Sequence, residues 1–246
     1  MSVNTPEELR ALRAAGAVVA QTIRAMRRAV RPGITTAELD AIARREFKRS
    51  GARSGPQLDY GFPGTTCISV NDEAVHGIPG PRRLRRGDLV KLDVTAELDG
   101  FYADACRTVC VGDARPQALK LVRTAEQALA AALKVVRAGV PVNEIGATVQ
   151  QFVQARGFSV CDGLMGHGIG RRIHEQPDVP NVFDARRTQP LRDGLVITIE
   201  PLVAAGGPAV RMSRDGWTVR TADSSLSAHA EHTIVVRPGA PVVLTA

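Results

Sequence analysis

Two aspartates in the segment LVKLDVTAELDGFYADACRTVCVG are spaced so that they can share a cation. The alternating pattern and the Asp99-Gly100 pair predict a β-hairpin with a two-residue turn. In that register Asp104 lies opposite Thr95 and diagonal to Asp93, on the same face of the sheet. Two crowded carboxylates repel each other. A bound cation would remove that cost, so the pair is a candidate metal site.

Two glutamates and a histidine in the second half could complete this site. Glu200 occurs in the apolar run VITIEPLV, which predicts a strand containing it, and Glu231 begins a second apolar strand, EHTIVV. Acidic side chains in such surroundings are rarely buried without a partner. With a histidine from GHGIGRRIHEQP, the candidate ligands are Asp93, Asp104, His167, Glu200 and Glu231. Four carboxylates and one imidazole suit two divalent ions better than a structural zinc site, which favours thiolates.

An internal repeat indicates how the fold positions these residues. Residues 31–52 align with residues 137–158 without a gap, and both copies follow an amphipathic helical run. Each copy predicts a helix with a polar start and a glycine just past its end. The identical pairs are Arg31/Arg137, Gly33/Gly139, Glu38/Glu144, Ala41/Ala147 and Gly51/Gly157. The repeat predicts one pseudo-twofold α/β domain over residues 1–246, with a site where the halves meet.

Composition limits the cellular setting. The chain has 246 residues, 44 % of them hydrophobic, enough for a sizeable core. The N-terminus lacks a signal-peptide pattern, and no apolar run is long enough to cross a bilayer, so we expect a cytoplasmic protein with no membrane partner. The four cysteines form no CxxC pair, which argues against disulfides. The net charge of +7 permits contact with an RNA-rich surface.

Five segments, in order, resemble the motifs of type I methionine aminopeptidases. They are NDEAVHGIPG, KLDVTAELDGFYADACRT, GHGIGRRIHEQPDVPN, ITIEPLV and SLSAHAEHTIVV, and the similarity covers essentially the whole chain. The resemblance implies the pita-bread fold, in which two pseudo-symmetric halves form a curved antiparallel sheet backed by helices. It also implies two divalent metal ions, with Asp104 and Glu231 bridging both, Asp93 on one ion, and His167 and Glu200 on the other.

The same resemblance implies hydrolytic removal of the initiator methionine from nascent polypeptides. Glu200 would take and pass on the proton of the attacking water. His174 would donate a hydrogen bond to the developing oxyanion, and His76 would contact the backbone of the scissile peptide. The glycines around the two histidines would let the chain pass close to the substrate.

The methionine pocket is implied in the same way. Phe62, Cys67 and Trp217 would line it, since an apolar wall with aromatic and sulfur neighbours suits a thioether side chain. The second residue of the substrate should be small.

Two segments depart from the family pattern. Members usually carry Gln and then an aromatic residue before the Glu-His pair, whereas this chain has His229-Ala230. In a strand His229 shares a face with Glu231, so it could perturb the metals or the pocket for the second residue. The segment LDYGFPGTT also replaces a more tyrosine-rich version of the pocket.

Other functions share parts of this pattern. Xaa-Pro aminopeptidases share the ligands but usually add a large N-terminal domain, and type II methionine aminopeptidases insert a subdomain between the two ligand glutamates. A ribosome- or RNA-binding protein of the same fold that has lost catalysis, or a creatinase-like metal-free hydrolase, would usually lack ligand residues. Mn²⁺, Fe²⁺, Co²⁺ and Zn²⁺ all tolerate the ligand set. We also predict ribosome contact, a monomer, and no DNA partner.

Overall fold

The two halves of the chain, each built around one copy of the repeat, contain matching pairs of helices. The computed structural model describes residues 1–246. In each half a long helix precedes the repeat, a shorter helix lies within it, and a two-residue strand follows. The first half contains α1 (Pro6–Ala29), α2 (Thr36–Ser50) and β1 (Arg53–Ser54), and the second contains α4 (Pro116–Val135), α5 (Asn143–Gln154) and β6 (Ser159–Val160). A short helix, α3 (Gly55–Tyr60), follows β1 and has no counterpart in the second half.

Equivalent glycines adopt the same unusual backbone conformation in both copies. Gly33 and Gly139 have φ angles of +89° and +90°, and Gly51 and Gly157 have φ angles of +74° and +78°. A side chain is strained in this region, so glycine is required at each of these bends. The pseudo-twofold repeat that the sequence predicts is therefore present in the backbone.

Both helices of the repeat have the predicted polar start, but only the first is capped by a side chain. Helix α2 begins with a capping box, in which Thr35 accepts from the backbone of Glu38 and the Glu38 carboxylate accepts from the backbone of Thr35. Helix α5 begins at Asn143, after Val142, whose side chain cannot cap. Its glycine lies three residues beyond the last helical residue, Gln154, so the predicted glycine just past the helix is found only in the first copy.

The central hairpin forms as predicted. Strand β4 (Leu89–Leu98) pairs with strand β5 (Phe101–Cys110) over their whole length. The turn residues Asp99 and Gly100 both have positive φ, 50° and 82°, as a type I′ turn requires. This turn fixes the register of every pair along the hairpin.

The remaining strands are short, and every strand pairing is antiparallel. They are β2 (Cys67–Val70), β3 (Glu73–Val75), β7 (Gly166–Gly168), β8 (Glu175–Val179), β9 (Val196–Ile199), β10 (Leu202–Ala204), β11 (Val210–Met212), β12 (Val219–Thr221), β13 (Ser227–His229), β14 (His232–Val235) and β15 (Val242–Val243). Together with the strands already named they form four hydrogen-bonded sheets, ordered β1-β4-β2 with β5 on β4, β13-β10-β6, β11-β12-β3, and β15-β14-β9-β7-β8.

The strand predicted around Glu200 is interrupted at that residue. Strand β9 ends at Ile199 and β10 begins at Leu202, in a different sheet. Pro201 has no N–H to donate, which breaks the ladder. Glu231 likewise lies between β13 and β14 rather than inside a strand. Both glutamates therefore lie where two sheets meet.

Each half of the chain has its own apolar core. One buried cluster joins α1 and α2 to the β4–β5 hairpin, and another joins α4 and α5 to the sheets of the second half. The four cysteines are all free, as expected. No helix combines the length and apolar content that crossing a bilayer requires.

Candidate active site

The two aspartates of the hairpin lie in the predicted register. Asp104 pairs with Thr95, and Asp93 pairs with Cys106 two positions along. Asp104 Oδ2 accepts a hydrogen bond from Thr95 Oγ1 at 2.8 Å. Its other oxygen, Oδ1, is buried and has no hydrogen-bond partner. A buried carboxylate oxygen in this situation is suited to a cation.

The second half reaches this hairpin through backbone contacts. The Asp104 N–H donates to Thr233 Oγ1 at 2.8 Å, and that hydroxyl donates to the Asp104 carbonyl at 2.7 Å. The Glu231 N–H donates to the Cys106 carbonyl at 3.0 Å. These bonds bring a glutamate of the second half beside the aspartates of the first.

His167 is held in the tautomer that a metal ligand needs. Its Nδ1 lies 2.9 Å from the Gly168 carbonyl, which can only accept, so Nδ1 carries the hydrogen and Nε2 is left with a free lone pair. Thr198 Oγ1 accepts from the His167 N–H at 3.0 Å and donates to Glu200 Oε1 at 3.0 Å. Thr198 therefore fixes the histidine and the glutamate relative to each other.

The glycines beside His167 allow the neighbouring strands to pack closely. A Cβ on Gly166 would lie 2.6 Å from the Thr198 carbonyl oxygen, and one on Gly168 would lie 2.2 Å from that of Gln176. Only glycine allows the neighbouring strands to approach this closely.

Three of the five candidate ligands converge tightly. One ligand atom from each of Asp104, His167 and Glu231 lies within 4.8 Å of the other two. Glu200 Oε1 lies 3.5 Å from His167 Nε2. Glu200 and Asp93 fall outside the 4.8 Å group but line the same cavity.

Burial sets the charge state of these groups when no cation is bound. Desolvation and mutual repulsion raise the pKa values of Asp93, Glu200 and Glu231 well above their usual range, and desolvation raises the pKa of Asp104 to about 6. Desolvation lowers the pKa of His167 to about 3, which keeps it neutral. Four repelling acids around a neutral imidazole fit a divalent cation.

His174 and His76 lie at the open side of the cavity. The hairpin turn between β7 and β8 brings His174 beside His167, with ring centroids 4.2 Å apart. His76 has a φ of +58°, a left-handed conformation that costs a non-glycine residue free energy. This strained residue follows β3 directly and its side chain lines the cavity.

Tyr60 contacts His174 in a way the sequence did not indicate. Its hydroxyl lies 2.5 Å from His174 Nδ1. Desolvation and the charge of Asp59 raise the pKa of the Tyr60 hydroxyl, so it stays protonated and can donate. Desolvation also lowers the pKa of His174, so the ring is neutral and Nδ1 can accept. The remaining hydrogen is then on Nε2.

The Asp59 carboxylate anchors the same turn. It accepts from the Ile173 N–H at 3.1 Å and from the Tyr102 hydroxyl at 2.9 Å. The end of α3 therefore fixes the loop that carries His174. The only sequence signal for this contact was the polar-aromatic pair in LDYGFPG, which lies more than 110 positions away from its partner.

An apolar compartment adjoins the acidic cluster. The Phe62 and Trp217 rings meet edge to face with centroids 5.2 Å apart, and Cys67 lines the same cavity. The cavity encloses about 370 Å³. Its lining includes all ten residues that the sequence predicts as metal ligands, catalytic groups or substrate contacts: Phe62, Cys67, His76, Asp93, Asp104, His167, His174, Glu200, Trp217 and Glu231.

Comparison with known proteins identifies the family. Residues 10–238 match metallopeptidase family M24. The chain belongs to this family. Members are metallopeptidases, in agreement with a cavity that combines acids, histidines and an apolar wall.

Methionine aminopeptidases are among the relatives that match this chain over nearly their whole length. The methionine aminopeptidase of Clostridium perfringens is 42 % identical over 97 % of this chain and 96 % of its own length. The crystal structure of methionine aminopeptidase from Rickettsia prowazekii covers 100 % of both chains at 35 % identity and a TM-score of 0.96. The prolidase from Pyrococcus furiosus shares the fold at a TM-score of 0.80, but it is 22 % identical and only 65 % of its length is covered. The predicted α/β pita-bread architecture is confirmed.

Proposed function

We propose that this M24 metallopeptidase removes the N-terminal methionine from new polypeptides when the second residue is small. The observation that carries the proposal is one cavity in which an acidic, histidine-containing cluster adjoins an aromatic and sulfur-lined compartment. The first part suits hydrolysis with a divalent ion, and the second suits a methionine side chain. A relative that matches over nearly its whole length, from Clostridium perfringens, is named a methionine aminopeptidase.

The five acidic and imidazole ligands would hold two divalent ions. The orphaned Asp104 Oδ1, the free Nε2 of His167 and the crowded glutamates are the donors that support this assignment. Oxygen and imidazole donors suit Mn²⁺, Fe²⁺, Co²⁺ or Zn²⁺. When bound, such ions supply Lewis-acid polarisation and make hydroxide available near neutral pH.

Glu200 would act as the general base and then the general acid. Its carboxylate faces the cavity, and Thr198 fixes one of its oxygens. Burial raises its pKa, which favours a group that accepts a proton from water and returns it to the leaving amine.

His174 would stabilise the negative charge that develops on the scissile carbonyl oxygen. Tyr60 occupies Nδ1, which leaves the Nε2 hydrogen available for donation. A donor held in place before the reaction needs no reorganisation as the charge develops. His76, at the cavity's open side, would bind the substrate backbone.

Phe62, Cys67 and Trp217 would bind the methionine side chain. A small second residue is expected because the scissile bond must reach the acidic cluster, which lies at the buried end of the cavity.

A peptide series tests the reaction class. Chelator-stripped protein would be incubated with Met-Gly-Met-Met, Met-Leu-Met-Met and Ala-Pro-Ala, with and without Mn²⁺ or Co²⁺, and free amino acids measured. Metal-dependent methionine release from the first peptide, and little from the other two, is the expected result. Release from Ala-Pro-Ala alone would assign the protein to the Xaa-Pro group, whose fold the prolidase shares. No release of amino acids from any peptide would favour a binding protein without catalysis.

We further propose that residues 1–246 act as one catalytic domain in the cytoplasm, at or near the ribosome where its substrates emerge. The net charge of +7 and the exposed side chains of Arg83, Arg85 and Arg86 support contact with RNA. Salt-sensitive co-sedimentation with ribosomes, weakened when these three arginines become glutamines, is expected. Equal sedimentation of both proteins would refute this contact.

A further inference from the structure

His229 is a buried imidazole beside the metal cluster that the proposed mechanism does not use. Its side chain is 2 % exposed, and neither ring nitrogen has a hydrogen-bond partner. Leaving both nitrogens unpaired in the interior is costly. A buried polar side chain without partners therefore needs a role.

The position of Nε2 defines what it can contact. It lies 3.7 Å from Glu200 Oε2 and 3.6 Å from Glu231 Oε2. Both separations exceed an ordinary hydrogen bond by about 0.5 Å. A modest rotation of the ring or of either carboxylate would bring one pair into contact.

The two oxygens of Glu200 face different partners. Oε1 accepts from Thr198 and lies 3.5 Å from His167 Nε2, on the side of the proposed ligand cluster. Oε2 lies towards His229. With a cation bound the Glu200 carboxylate is ionised and only accepts hydrogen bonds, so a side chain that contacts Oε2 must be a donor.

We propose that His229 is a positioning residue whose Nε2–H lies between the two glutamates and orients their carboxylates through the Oε2 atoms. This inference rests on the proposed metal centre and adds a residue to it. Side chains that hydrogen-bond a metal ligand orient it before the ion binds. His229 would then fix Glu200 and Glu231 together, although they belong to different junctions between sheets.

Two substitutions separate this role from simple packing. His229→Gln keeps a side-chain N–H at a similar reach, and His229→Leu keeps apolar bulk without a donor. We expect Mn²⁺ to bind His229→Leu about 10–100-fold more weakly than the unmodified protein. His229→Gln should stay within about threefold of it, a rescue that a packing role would not require.

Mn²⁺ affinity would be measured from the EPR signal of the free ion, with circular dichroism as the check on folding. No Mn²⁺ binding by the unmodified protein would reject the metal centre itself. Normal binding by the unmodified protein together with equal binding by His229→Leu would reject only the role of His229. Equal weakening in both variants would also reject it, because the donor would not be the important feature.

Nitrogen-15 NMR of the unmodified protein gives a second measurement that does not depend on a variant folding. The five histidines make assignment of the imidazole signals practical. The inference predicts a protonated His229 Nε2 once Zn²⁺ is bound and the two glutamates are ionised. An Nε2 that lacks hydrogen, or that binds Zn²⁺ directly, would overturn the inference and make His229 a ligand instead.

Discussion

Replacing Tyr60 with phenylalanine removes one hydroxyl while keeping the ring that packs against His174. The hydroxyl lies 2.5 Å from Nδ1 and is the contact that favours a hydrogen on Nε2. Without it, the imidazole can rotate or change tautomer, and the population able to donate to the oxyanion falls. Substrate binding should change little because the apolar wall, which includes Phe62 and Trp217, is untouched.

The size of the effect follows from a single hydrogen bond. A net value of about 0.5–1.5 kcal/mol corresponds to a decrease of about 2- to 12-fold in kcat. Removing the donor itself with His174→Ala should cost about 10²–10³-fold. Because Tyr60 acts through His174, the double variant should be no slower than His174→Ala alone.

The assay is steady-state methionine release from Met-Gly-Met-Met at saturating Mn²⁺, with KM and kcat determined separately. Leu58→Ala is a matched control, since Leu58 is an exposed residue of the same short helix. Full kcat in Tyr60→Phe, or losses that multiply in the double variant, would show that Tyr60 does not act through His174.

Other predictions concern the metal cluster, the pocket and the repeat. Asp104→Asn should abolish the Mn²⁺-induced rise in Tm without lowering the Tm of the ion-free protein, because one of four crowded acids is neutralised; a large loss of ion-free Tm would contradict this. The Mn²⁺-induced rise should be larger at pH 7.5 than at pH 5.5, because the raised carboxyl pKa values, about 6 for Asp104, mean that protons compete with the ion as the pH falls; a larger shift at pH 5.5 would refute it. Trp217→Ala should raise KM for methionyl peptides more than it lowers kcat, and an unchanged KM would remove it from the pocket. Gly33→Ala and Gly139→Ala should each lower the free energy of unfolding in urea by about 1–2 kcal/mol, since both residues need positive φ. Clearly different losses in the two variants would argue against equivalent roles.

Local rules made the aspartate pair predictable from the sequence. Asp99-Gly100 permits only a tight turn, and that turn sets which residues face each other along the hairpin. The alternation of the strand then places Asp93 and Asp104 on one face. The repeat was visible for a similar reason, because glycines at positive φ cannot be replaced freely.

Contacts between distant segments could not be predicted in this way. Tyr60 and His174 are 114 positions apart, and only the packing of α3 on the β7–β8 turn brings them together. Pro201 is a sequence signal that the strand around Glu200 is interrupted, since proline cannot donate a backbone hydrogen bond to the neighbouring strand. Strand alternation predicted that His229 and Glu231 share a face. The approach of His229 to Glu200 could not be predicted, because it depends on how two sheets meet.

The most direct test of the metal-dependent site is methionine release by Glu200→Gln, measured beside the unmodified protein with bound Mn²⁺ quantified in both. The substitution keeps the shape of the side chain and removes its ability to take a proton. The account predicts Mn²⁺-dependent release by the unmodified protein and a loss of at least about 100-fold in the variant at the same bound Mn²⁺. Comparable release by the two proteins at equal bound Mn²⁺ would contradict it.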